Sequence, residues 1–138
     1  MDHENIINNI LKGYIKSSEI DGYGLFAISK IKKEEVIGLL DGQLIPWDLY
    51  DKILQNNSLL RDFFVEWNAI SINKLLVRTF RTKYSFINHS RKPNVCIMYN
   101  PIRIVAVKDI FQDEEIVLDY RKEPLRKEYL NGHGKSYL

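Results

Sequence analysis

The side chains best equipped for chemistry stand in "SFINHSRKPNV", residues 85–95, where an apolar run passes directly into Asn88, His89, Ser90, Pro93 and Asn94. The first half has the composition of a buried strand and the second that of a turn. One short segment therefore sets hydrogen-bond donors and acceptors at the border of a core. A second resource is hydroxyl chemistry: the chain holds eight tyrosines, and Tyr120 closes "DEEIVLDY", an acidic turn followed by a strand-like run. A phenol can orient a reacting group without a metal. The third feature is "DGYG", in which Gly22 and Gly24 flank Tyr23. Taken singly, each has an ordinary explanation. An Asn-His pair suits a turn, Gly-x-Gly occurs in many turns, and a tyrosine at a strand end is more often core than catalyst.

Other chemistries are excluded or disfavoured. His3, His89 and His133 are too scattered to form a metal motif, and Cys96 is the single cysteine. An intrachain disulfide and a cysteine-cluster zinc site both fall away. Net charge is +2, from 20 basic and 18 acidic residues, which argues against a nucleic-acid binder held by electrostatics. No apolar run has the length of a membrane span, and the acidic, polar start "MDHENIINNILKG" is unlike a secretory signal. The expectation is a soluble protein of a reducing compartment, cytoplasmic or nuclear, with no membrane and no direct nucleic-acid partner.

Length and patterning indicate the elements that must position these groups. At 138 residues one domain, 1–138, is expected, large enough to bury a core without staples. Asp2 is placed to cap a short helix in which Ile6, Ile7, Ile10 and Leu11 share a face, ending at Gly13. "YIKSS", "LFAISK" and "EVIGLL" read as strands, the last closed by Asp41-Gly42. Pro46 opens a helix with Trp47, Tyr50 and Leu54 on one face. "AISINKLLVRT", "NVCIMY", "IRIVAVKDI" and "IVLDY" continue as strands, and "RKEPLRKEYLNGHGKSYL" reads as a short helix and a loose end. The charged runs "KIKKEE" and "YRKEPLRKEY" read as solvated surface, and Trp47 and Trp67 as core or interface. The class is mainly β with short helices. A βαβ rhythm and a Gly-rich phosphate loop are both missing, which removes the nucleotide-binding superfolds.

Four segments together resemble the SET-domain family of protein lysine methyltransferases: "DGYGLFA" (21–27), "EEVIGLLDGQLI" (34–45), "FINHSRKPN" (86–94) and "DEEIVLDY" (113–120). Their order and spacing agree with the family over residues 14–120, and "FINHSRKPN" is the most specific. The resemblance implies a β-clip-like fold of several small sheets with a C-terminal pseudoknot-like crossing. It implies a SET core at 14–120 and a tail, 121–138, placed to close the active site. It further implies S-adenosylmethionine (AdoMet) as methyl donor and a lysine of a protein or peptide, such as a histone tail, as acceptor.

In that framework Tyr120 stands at the family's catalytic tyrosine and also borders the cofactor. Asn88 and His89 match its adenine and amino-acid contacts, made largely through backbone. Gly22 and Gly24 would admit the cofactor close to the main chain, with Tyr23 beside its methionine portion, while Asn94 buttresses the loop. The chemistry is an in-line displacement by a deprotonated amine. Free lysine titrates near 10.4, so an apolar channel and a neighbouring sulfonium must lower it, with alignment supplying much of the rate.

Three positions depart from the pattern. Leu40 precedes Asp41-Gly42 where many relatives carry a channel tyrosine, so the number of methyl groups added is open. Ser85 stands where Arg is common, with Tyr84 a candidate substitute. Cysteine-rich flanks are lacking, which leaves Tyr129, Tyr137 or a second subunit (hence a homodimer) to complete the lysine channel. The alternatives are a catalytically inactive SET-like module binding a peptide or partner protein, and a β-clip fold that binds sugars or small acids.

Overall fold

The computed structural model describes residues 5–56 and 64–138. The chain forms two units, each discontinuous in sequence: Met1–Leu40 with Thr82–Tyr120, and Asp41–Arg81 with Arg121–Leu138.

The first unit contains β1 (Gly13–Ser17), β2 (Tyr23–Ala27), β3 (Val36–Leu39), β7 (Asn88–His89), β8 (Val95–Met98), β9 (Arg103–Ala106) and β10 (Glu115–Leu118). They hydrogen-bond in the order β1-β2-β10-β8-β9-β3, with β7 joined to β10 off this path. The β1–β2 hairpin aligns Gly13 with Ala27 and Ser17 with Tyr23. The last strand, β10, is placed centrally. It runs antiparallel to β2, with Ile116 opposite Leu25. It runs parallel to β7, matching Val117 to Asn88 and Leu118 to His89, and parallel to β8 at Leu118 and Val95. Inserting a C-terminal strand among strands made earlier is the crossing that the motifs implied.

Apolar side chains on these strands and on the segments beside them explain the arrangement. Leu25, Ile31, Ile87, Val95, Ile104, Ile110 and Ile116 are all 0% exposed, and each contributes about 1.5–3 kcal/mol relative to an exposed position. Asn94 reinforces β10 from the side. Its Nδ2 donates to the Glu115 carbonyl at 2.8 Å, and its Oδ1 accepts from the Val117 N–H at 2.8 Å. A side-chain amide thus substitutes for a ladder partner.

The second unit contains β4 (Gln43–Pro46), α1 (Trp47–Asn56), β5 (Glu66–Ser71), β6 (Lys74–Arg78) and α2 (Lys127–Asn131). Its sheet has the order β4-β6-β5. Trp47, Ala69, Leu75 and Val77 form its core, with Tyr50, Trp67, Leu125 and Tyr129 packed around them. Trp67 lies 5.7 Å from Trp47 and meets Tyr129 edge-on at 5.5 Å. Arg78 donates to Glu66 at 2.6 Å, to Asn68 at 2.5 Å and to the Asp41 carbonyl at 3.0 Å, so a buried cation is fully engaged.

Four expectations need correction. Residues 5–12 form no helix: Ile7 bridges Thr82 in parallel and accepts from the Lys83 N–H at 3.1 Å. Of the expected apolar face only Ile10 is buried, with Ile7 and Leu11 exposed; Asp2 lies outside the described residues. "AISINKLLVRT" is the body of a hairpin, β5–β6, rather than one strand. Pro46 is the last residue of β4, opposite Lys74, and α1 begins at Trp47. The run "YRKEPLRKEY" is only partly solvated: Arg126 sits over the Trp47 ring at 4.8 Å and donates to the Ile72 carbonyl at 2.7 Å.

Candidate active site

The segment that ends in Asn88-His89 begins with a 3-10 turn, Lys83–Phe86, capped by Thr82. Tyr84, Phe86 and Ile87 are buried, anchoring the turn and delivering Asn88 and His89 to the edge of β10. Lys83 ties the turn to the N-terminal segment. Its Nζ donates to the carbonyls of Ile10, at 3.2 Å, and Gly13, and burial lowers the pKa of this amine.

Parallel pairing of β7 with β10 brings Tyr120 beside His89. The Tyr120 N–H donates to His89 Nδ1 at 3.1 Å, which makes Nδ1 the unprotonated nitrogen of this tautomer. The two rings are 5.3 Å apart and inclined by 48°. The Tyr120 hydroxyl donates to the carbonyl of Ile87. A phenol whose proton points into the main chain presents its oxygen to a ligand as an acceptor.

Asn88 joins the glycine turn to the same place. Its Nδ2 lies 3.2 Å from the carbonyls of Asp21 and Tyr23 and 2.9 Å from Glu115 Oε1. Gly22, Tyr23, Gly24, Asn88, His89 and Tyr120, the six residues expected to form the site, therefore converge within one unit. The two glycines differ in what surrounds them. Gly22 has φ +43°, and a side chain there would meet nothing within 4 Å, so its open face can admit a ligand against the backbone. At Gly24, a Cβ would lie 2.2 Å from Glu115 Oε1, so the space is already taken from within. Tyr23 is exposed.

Two contributors escaped sequence reasoning, Glu115 and Ser18. Ser18 Oγ is 2.8 Å from Glu115 Oε1 and 3.0 Å from Oε2. Glu115 was visible only as part of an acidic turn, and Ser18 carried no signal. Leu40, at the position of the absent channel tyrosine, is buried. Tyr129 and Tyr137 join their hydroxyls in the second unit.

A fold built around a late-threaded strand, with Asn-His on its parallel neighbour and Tyr at its end, defines a class. The profile of the SET domain matches residues 22–121, and the chain belongs to the SET domain family, whose members are generally lysine methyltransferases. It is also similar to the "Variant-silencing SET domain-containing protein" of Plasmodium falciparum (isolate 3D7), 33% identical over 118 residues. That match covers 77% of this chain and 5% of the Plasmodium protein.

Proposed function

We propose that this chain transfers a methyl group from AdoMet to the ε-amine of a lysine in a protein or peptide substrate. The observation that carries the reading is the junction of Tyr120 with Ile87 and His89, two hydrogen bonds spanning 33 and 31 residues of sequence. AdoMet, when bound, supplies a methyl group on a positively charged sulfur. The residues present suit it: the open face of Gly22 and the exposed ring of Tyr23 offer a surface for close approach, and the strand of Asn88 and His89 offers backbone and ring polarity.

Each residue then has a task. Tyr120, whose proton goes to the Ile87 carbonyl, has an oxygen of the kind that accepts from an amine N–H or a polarised C–H. His89 holds the Tyr120 main chain, and through it the direction of the phenol. Asn88 keeps the glycine turn against β7. Alignment of donor and acceptor accounts for much of such a reaction's rate, and these bonds provide it. Histone tails are the substrate class to test first.

The experiment is incubation with methyl-labelled AdoMet, a histone panel and a cell lysate, with Tyr120→Phe in parallel. Label on a lysine that disappears in the variant is the expected result. Absence of both label and AdoMet binding in the wild-type protein would sink the catalytic reading and leave a SET-like binding module.

A further inference from the structure

One carboxylate ties together every part of the glycine turn. Glu115 Oε1 accepts from Ser18 Oγ at 2.8 Å and from Asn88 Nδ2 at 2.9 Å. Ser18 extends that grip along the turn. Its hydroxyl accepts from the Ile20 N–H at 2.9 Å, and its own N–H donates to the Gly22 carbonyl at 2.8 Å. Asn88, on the other side, reaches the carbonyls of Asp21 and Tyr23 at 3.2 Å. Residues 18–23 are thus held from two directions by groups that both end on Glu115. The carboxylate fits because Gly24 has no side chain: a Cβ there would stand 2.2 Å from Oε1 and 3.1 Å from Ser18 Cβ.

We propose that Glu115 is a positioning residue: through Ser18 and Asn88 it fixes the Gly22–Gly24 turn in the shape that receives AdoMet. The inference rests on the reading of the site given above and adds a role for Glu115 and Ser18. Hydrogen bonds to an ionised acceptor are stronger than neutral ones, and the two donors converge on the one oxygen, Oε1, which has lone pairs for both. A glutamine at 115 keeps one acceptor oxygen for both donors but loses the charge that strengthens their bonds, and sets its NH2 where Oε2 now faces the Ser18 hydroxyl at 3.0 Å. Asn88's side-chain amide is committed to the turn and Glu115 by the same network.

The test compares wild type, Glu115→Gln and Ser18→Ala, by hydrogen exchange of the ligand-free proteins and by calorimetric titration with AdoMet. Expected for Glu115→Gln are faster exchange at Ile20, Gly22 and Tyr23, unchanged exchange in β8 and β9, and about tenfold weaker AdoMet binding. In turnover, the loss should fall on KM for AdoMet more than on kcat. Ser18→Ala, which leaves the Asn88 arm intact, should lie between. Unchanged exchange in the turn, or exchange raised uniformly across the sheet, would overturn the positioning role. Unchanged AdoMet affinity with a loosened turn would overturn its link to the ligand. If the wild-type protein does not bind AdoMet at all, the reading of the site fails and the ligand link fails with it. The exchange pattern still decides whether Glu115 holds the turn.

Discussion

Glu115 occupies the space that a side chain on Gly24 would fill. The glycine is therefore explained by a partner 91 positions later in the chain, on the strand antiparallel to its own. Gly24→Ala should displace the carboxylate, which is the end of a flexible side chain, and break its bonds to Ser18 and Asn88. The expected loss is about 1–3 kcal/mol of stability. Because the clash belongs to the pair, Glu115→Ala should mask part of it. A double-mutant cycle followed by urea unfolding should show a coupling of about 0.5–3 kcal/mol; additive losses would refute the contact.

Asn94 should be among the least replaceable polar residues of the first unit. It is 5% exposed and completes two main-chain bonds of β10. Asn94→Leu leaves the Glu115 carbonyl and the Val117 N–H without those partners, at a cost of about 2–4 kcal/mol. Asn94→Asp keeps the acceptor and loses the donor, so equilibrium denaturation should place it between wild type and the leucine variant.

In the second unit, Arg78→Met removes the cation of a buried pair whose side chains are 5% and 4% exposed. Glu66 is then left buried without the guanidinium, and a loss of about 3–5 kcal/mol is expected. Adding Glu66→Leu should recover much of that, because an apolar pair of similar volume is often tolerated. Thermal unfolding of the single and double variants checks both statements.

Cys96 supplies a pH-dependent readout. Burial pushes its thiol pKa up, with the charge of Arg103 opposing in part. The thiolate is the reactive form, so alkylation by iodoacetamide at pH 8 should be slower than for an unstructured cysteine peptide. Its pH–rate profile should also be displaced upward. The linkage has the same sign: the folded state keeps its proton longer than the unfolded state. This group's contribution to stability is whole below the ordinary thiol range and declines as pH rises through the folded value. A profile matching the peptide's would contradict the burial.

Most strands were legible because apolar, often β-branched residues are bounded by turn formers: β3, β8 and β9 fall within the segments read from the sequence, and β1, β2 and β10 overlap theirs but begin one or two residues earlier, at Gly13, Tyr23 and Glu115. The failures have local causes. Ile6, Ile7, Ile10 and Leu11 have helical spacing, yet the Ile7 carbonyl is claimed by Lys83, a partner 76 residues away that no local pattern reveals. The β5–β6 hairpin was hidden because its turn lacks glycine and proline; Ser71 Oγ accepts from the Asn73 N–H at 3.2 Å instead. In the site, the six expected residues stood inside recognisable motifs. Ser18 and Glu115 act through a contact spanning 97 residues, and their types alone suggested surface.

The central place of β10 also bears on how the protein is made. Strands β1, β2, β7 and β8 are all synthesised before residues 115–118, and the sheet that joins them runs through that strand. The intervening second-unit segment, Asp41–Arg81, lengthens the loop that must close, and non-local pairing of this kind folds slowly. At roughly 5–20 residues per second of synthesis, β1 and β2 wait several seconds for their partner with Leu25 uncovered. Chaperone demand should therefore peak on nascent chains that stop just short of residue 115, and fall once β10 has cleared the exit tunnel.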